Sequence, residues 1–215
     1  MAVAETLPSE VLDELRATVR PNAFNQAAGA LAEAVLALAD DDGEAAVGAA
    51  RAAKRAAPRS AGAREVLGMA LYRAGDFRAA RTELAAAQRI SGGVDLTAVL
   101  ADVERALGRP ERAIELFETV ERRRMEPDTA AELLLVAASA YGDLGQPAAG
   151  VALIRRHARW PTQLADHHLR VAYAEGALAA QAGDTAGARK AFGLVTQADP
   201  AFFDAAERLA ALEAG

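Results

Sequence analysis

The residues best equipped for chemistry in this chain are its three histidines, and two of them stand side by side in Asp166-His167-His168. Imidazoles bind metals and move protons, but ligands on one helix must sit three or four residues apart to meet on one ion. Adjacent helical residues diverge by about 100°, so this segment reads as the polar first turn of a helix. The acidic run Asp40-Asp41-Asp42-Gly43-Glu44 invites comparison with a calcium loop. Aligning Gly43 with the loop glycine puts Leu38 at the first ligand seat and Ala49 at the last, so the run is expected to be a turn and a helix start favoured by the macrodipole. Gly183 to Lys190 echoes a phosphate loop, yet the spacing is wrong and no strand pattern precedes it. The four serines, Ser9, Ser60, Ser91 and Ser139, lie in no G-x-S-x-G motif and have no histidine nearby in sequence. With zero cysteines there is neither a thiolate nucleophile nor a thiolate metal site. The expectation is a protein that is not an enzyme and uses no metal or cofactor.

The runs Arg122-Arg123-Arg124 and Arg155-Arg156-His157-Arg159 are each expected to end a helix, where cations complement the C-terminal dipole. They read as solvated edges or, if they align, as an anion-facing stripe for an acidic partner. Trp160, in a turn before Pro161, is expected to be buried packing, with an exposed binding anchor as the alternative. A formal net charge of −6 and a pI near 5.2 oppose a general nucleic-acid footprint. The charge is uneven: residues 1–50 hold nine acids and two bases, whereas residues 51–90 hold nine bases and three acids. That asymmetry fits alternating solvated helix faces, an electrostatically guided partner, or a contact between copies of the chain.

Positioning these groups falls to helices. Apolar residues recur three and four apart, almost no segment alternates at period two, and Gly, Pro or Asp turns interrupt at short regular intervals. The pattern predicts an all-α protein with helices over 8–19, 22–39, 44–57, 60–74, 76–90, 95–107, 110–124, 128–144, 147–158, 163–181, 184–196 and 200–213. Of the 215 residues 52% are hydrophobic, but 58 are alanine and only 5% of the chain is aromatic. The core must therefore be built by close approach of backbones rather than by bulky side chains. Lys54 and Lys190 are the only lysines, and the arginine and alanine excess looks like the product of a GC-rich genome. Met1 to Glu5 shows no basic region before an apolar run, and no apolar stretch reaches the roughly 18 residues a spanning helix needs. A cytoplasmic protein with no membrane association is expected.

The regular punctuation hides a repeat. Leu67-Gly68-Met69-Ala70-Leu71, then Gly75-Asp76-Phe77, Ala80 and Leu84 follow the tetratricopeptide pattern, with Leu71 and Leu84 in place of aromatics. Further copies read Leu100-Ala101, Gly108, Ala113, Phe117; Ala137-Ala138, Tyr141, Gly145, Gly150, Ile154; and Gly176, Gly183, Ala188, Phe192, Pro200. A degenerate first copy sits on Ala34, Ala46, Ala50 and Pro58. The small seat opening each second helix falls at Ala46, Ala80, Ala113, Gly150 and Ala188, spaced 34, 33, 37 and 38 residues. The large residue four positions on, as in Leu84, Phe117, Ile154 and Phe192, is expected to plug into the neighbouring repeat.

In these motifs the chain resembles the tetratricopeptide repeat (TPR) family, and in composition the short TPR proteins of GC-rich actinobacteria. No copy has the consensus tryptophan. The resemblance implies a right-handed superhelix of antiparallel helix pairs, with the array over 22–200, an N-terminal capping helix in 1–21 and a C-terminal capping helix in 200–215. It also implies a protein-interaction module, an adaptor or scaffold holding a protein or peptide segment in a concave groove lined by the first helices. The groove seats are then Glu65, Met69 and Tyr72 with Arg73 at the margin, Asp102 and Arg105 beside Ala98, Ser139 beside Leu135, and Tyr173 beside Ala177 with Arg170 nearby. The Lys, Asn and Arg clamp of the chaperone-tail TPR type is missing from these seats. A regulatory or nucleic-acid-associated repeat protein and a self-assembling structural unit remain the alternatives, and a homo-oligomer is compatible with either.

Overall fold

The computed structural model describes residues 7–214, twelve α-helices and no strand among them. The reading of Met1 to Glu5 lies outside the described residues. The chain divides between Leu96 and Thr97 into two compact units. The first holds α1 (Ser9–Thr18), α2 (Phe24–Ala39), α3 (Gly43–Ala56), α4 (Ala61–Arg73) and α5 (Phe77–Ser91). The second holds α6 (Thr97–Ala106), α7 (Pro110–Thr119), α8 (Pro127–Asp143), α9 (Pro147–His157), α10 (Asp166–Gln181), α11 (Thr185–Ala198) and α12 (Ala205–Ala214).

One turn geometry recurs five times. Asp41, Gly75, Gly108, Gly145 and Gly183 all adopt positive φ, between 58° and 77°. At each, the next residue's N–H reaches back five positions, as in Asp76 to Leu71 at 2.9 Å and Gln146 to Tyr141 at 2.8 Å. The turn residue itself donates three positions back, as Gly145 does to Gly142 at 2.9 Å. This double bond is the Schellman pattern, which satisfies the last carbonyls of one helix and reverses the chain into the next. The five turns stand five residues before the five small seats, so the degenerate first copy shares the geometry of the others, with Asp41 where they have glycine. The second helix then starts in one of two ways. Asp42, Asp76 and Asp184 accept the N–H of Ala45, Ala79 and Gly187, whereas after Arg109 and Gln146 a proline stands at the first helical position and removes the orphan donor.

Each turn closes a helix pair: α2 with α3 and α4 with α5 in the first unit, α6 with α7, α8 with α9 and α10 with α11 in the second. Successive first helices also touch, α2 with α4, α6 with α8 and α8 with α10, which is how helix hairpins stack. In the first unit α1 packs on α2 and α4, and Leu15, Leu31, Ala28 and Ala63 share its core. Glu14 of α1 accepts the Ser60 hydroxyl at 2.7 Å and the Ala61 N–H at 2.8 Å, while Ser60 caps α4 through Ala63.

The close approach expected from composition has a definite form. A Cβ on Gly68 would lie 2.5 Å from Leu84 Cγ, and one on Gly176 would lie 2.9 Å from the Phe192 ring. Leu84 and Phe192 thus press on the first helix of their own pair, where the missing Cβ opens the nearest space. Two boundaries also differ from expectation. α7 stops at Thr119, Val120 is extended, and Arg122–Arg124 form a separate 3-10 turn; Glu126, just before Pro127, is extended as well, and Met125 is buried. Arg122 still serves the end of α7 from outside by donating to the Phe117 carbonyl. α12 starts at Ala205 rather than near Pro200, since Asp199 holds a turn through the N–H groups of Ala201 and Phe202.

Gly150 faces the tightest backbone constraint: a Cβ there would sit 2.6 Å from the Ala138 carbonyl oxygen. Gly150→Ala is expected to cost about 1–3 kcal/mol through overpacking. Gly48→Ala, on the exposed side of α3 with nothing nearby, should instead gain about 0.5–1 kcal/mol from helix propensity. Urea denaturation midpoints should move in opposite directions, and an unshifted Gly150→Ala midpoint would contradict the contact between α8 and α9.

Candidate functional site

A groove of about 530 Å³ opens between α8 and α10 in the second unit. Glu132, Leu135, Ser139 and Asp143 line it from α8, spaced three and four apart so that they share one face. Arg170, Tyr173, Ala174 and Ala177 line it from α10, and Phe203 closes one side from the turn before α12. Ser139, Arg170 and Tyr173, expected from the sequence to share a concave face, therefore do meet in one cavity.

Its polar groups are engaged with one another. Arg170 Nη1 donates to Glu132 Oε2 at 2.9 Å, bridging α10 to α8. The Tyr173 hydroxyl donates to Asp204 Oδ1 at 2.5 Å, and Asp204 also accepts from Arg208 at 2.8 Å. Burial raises the Tyr173 pKa, helped by its bond to Asp204, while the hydrogen bonds from Tyr173 and Arg208 lower that of Asp204. At neutral pH the pair is thus a phenol donating to a carboxylate. Tyr173 meets the rings of Phe192 and Phe203 edge-on, at 5.7 Å and 5.3 Å.

Asp102 and Arg105 stand beside the groove rather than in it. Arg105 Nε donates to Asp143 Oδ2 at 2.7 Å and its Nη1 to Asp102 Oδ1 at 3.0 Å. Burial opposes the charge of Arg105, but these carboxylates outweigh it and the guanidinium pKa rises. Asp143 passes this anchored pair on to the groove wall.

The remaining sequence candidates belong to the first unit. Glu65, Met69 and Tyr72 form a stripe along α4; Met69 and Tyr72 are half-buried, and Tyr72 packs edge-on against Phe77 at 5.8 Å. Arg73 is exposed and donates to Asp41 at 3.0 Å. Glu65 is solvent-accessible as a residue, yet desolvation of its carboxyl group, reinforced by Asp95, raises its pKa.

The sequence reading missed Phe203. It lay inside an expected helix, but its φ is +47° and its side chain is 71% exposed. The one signal was the pair Phe202-Phe203 after Asp199-Pro200, in which adjacent side chains cannot both point into the core. Trp160, expected to be buried, is 40% exposed, because the segment after α9 runs through Pro161 over the surface. No group of three or more metal-ligating side chains stands together among the described residues. No helix among them is long and apolar enough to cross a membrane.

No family model matches this chain, and no curated protein does either. Among solved structures it is similar to a chain in "Structure of Naa15/Naa10 bound to HypK-THB", with 16% identity and a TM-score of 0.40. The match covers 97% of this chain and 35% of that one, so this chain spans about a third of its length.

Glu65 provides a pH test. Its folded-state pKa lies above the ordinary value of 4.5, so the folded state holds the proton more tightly than the unfolded chain and stability declines as pH rises through that interval. Glu65→Gln should raise the melting temperature at neutral pH, and the gain should vanish below the ordinary value. A variant that melts like the parent at both pH values would contradict the desolvation of this carboxyl group.

Proposed function

We propose that this chain is a non-catalytic interaction module of the tetratricopeptide type, an adaptor that holds a segment of a protein partner in the groove between α8 and α10. The observation that carries the reading is Phe203. A non-glycine residue in left-handed backbone holds a large aromatic side chain mostly in water beside Tyr173, at the rim of a cavity. Both the strain and the exposure work against the free chain, and a bound partner would return the exposed apolar area. Leu135, Ala174, Ala177 and Leu178 supply an apolar floor, while Glu132, Asp143 and Arg170 supply polar groups at its sides. The segment suited to this arrangement presents a bulky apolar side chain flanked by hydrogen-bonding groups.

The overall acidity of the chain argues for a protein partner over nucleic acid, and no helix among the described residues is long and apolar enough to cross a membrane. No cofactor is needed for such a role. The stripe of Glu65, Met69 and Tyr72 in the first unit is a separate candidate contact surface.

A photo-crosslinking residue at position 139, introduced in the source cells, should trap one recurrent protein segment that mass spectrometry can sequence. Phe203→Ala should weaken the corresponding synthetic peptide about tenfold or more, the loss of at least about 1.4 kcal/mol expected for an aromatic anchor, while melting close to wild type. Equal peptide affinity in Phe203→Ala and Tyr173→Ala would rule out the groove as the binding surface.

A further inference from the structure

A second cavity in the same unit, about 370 Å³, lies on the other flank of α8 and α10. All three histidines line it, His157 from the end of α9 and His167 and His168 from the first turn of α10, together with Arg122, Arg123 and Arg159. Its wall is apolar, formed by Phe117, Ala130, Leu134, Val171 and Trp160, and no carboxylate is among the side chains that line it. Arg122 and Arg123 of one arginine run and His157 and Arg159 of the other therefore converge on one hollow.

Arg123 reaches Glu121 at 3.5 Å, but the other two arginines that line the hollow are short of counter-charge. Arg122 donates to the Phe117 carbonyl and lies over that ring at 4.1 Å, and Arg159 donates to the carbonyls of Ala158 at 2.8 Å and Arg156 at 3.2 Å. Neither guanidinium meets a carboxylate among the described residues, so backbone dipoles orient both without neutralising them. The local field registers on His157, edge-on to Phe117 at 5.3 Å: burial first, then Arg122, Arg156 and Arg159, hold its pKa below the ordinary value. His168 is likewise lowered by burial and by His167, and its Nδ1 accepts the Ala165 N–H at 3.1 Å. His167 is paired with Asp128, outside the lining. At neutral pH the hollow thus combines two unneutralised guanidinium groups, the uncharged imidazoles of His157 and His168, and an apolar wall.

We propose that this pocket binds a small organic anion with a flat apolar body, an aromatic carboxylate or an aromatic phosphate ester, its charge met by Arg122 and Arg159 and its ring laid against the Phe117, Leu134 and Trp160 wall. The volume suits a ligand of one or two rings. Charge-assisted hydrogen bonds from arginine fit both carboxylate and phosphate, so the two sources share one recognition chemistry.

Trp160 is the only tryptophan in the chain and lines the pocket, which makes its fluorescence a local reporter. The full chain is titrated with phenyl phosphate and with benzoate, and in parallel with inorganic phosphate, which lacks the ring, and benzyl alcohol, which lacks the charge. At least one aromatic anion should give a saturable change, with both controls about tenfold weaker or more. The stronger of the two anions identifies phosphate ester or carboxylate as the source. Arg159→Ala removes a guanidinium bonded only within its own loop, so it should melt as wild type and weaken the anion about tenfold. Absence of saturation at millimolar concentrations, equal binding of benzyl alcohol, or an Arg159→Ala variant with undiminished affinity would each overturn the proposal. None of these outcomes depends on the groove at Tyr173 and Phe203.

Discussion

Everything in this protein rests on helices brought together through residues with little or no side chain. Ala46, Ala80, Ala113 and Ala188 are fully buried where second helices begin, and Gly150 takes the same seat against the Ala138 carbonyl. Close approach of this kind gains dispersion contacts along the backbone but little apolar area per residue. The few large side chains are accordingly placed where a glycine makes room, Leu84 over Gly68 and Phe192 over Gly176. A side chain at Gly68 or Gly176 would force such a contact to shift, because its Cβ would meet Leu84 or Phe192 at under 3 Å.

Small residues specify distance but not register, and the recurrent turn supplies part of what is missing. By fixing the last carbonyls of each first helix, the Schellman bonds set the azimuth at which the next helix begins. Ion pairs and hydrogen bonds then tie helices that alanine alone would leave free to slide. Arg105 joins α6 to α8, Arg170 joins α10 to α8, and Arg155 of α9 reaches Glu175 at 2.7 Å and Asp184 at 3.1 Å. In the first unit Glu83, only 8% exposed, is held by Lys54 and by Arg64 at 2.8 Å. Exposed pairs of this sort add little stability, but the buried Glu83 would be costly if either cation were removed.

The pair α8 and α10 carries both cavities because a helix packed through small residues leaves two flanks uncovered. On α8 the groove takes Glu132, Leu135 and Ser139, while Ala130 and Leu134 turn toward the cationic pocket. On α10 Tyr173 and Ala177 face one cavity and His168 and Val171 the other. A ligand in one and a partner in the other would touch the same two helices from opposite sides.

Local chemistry was enough to read the helices, the turns and the repeat. Helical periodicity, Gly75, Gly108, Gly145 and Gly183 at turns, Asp and Pro at helix starts, and small seats at near-constant spacing each depend on residues within a few positions of one another. The same rule placed Ser139, Arg170 and Tyr173 on a common face, since helix register carries from one hairpin to the next. It failed where the backbone leaves its helix: α7 breaks after Thr119, Phe203 turns left-handed beside an aspartate-held turn, and Trp160 is exposed on a surface loop. It also had no means of seeing that His157 would join His167 and His168, or that Arg122 and Arg159 would stand near them without carboxylates. Periodicity reports which face of a helix is buried, but what gathers at the ends of several helices follows from how they stack, and that is decided only by packing in three dimensions.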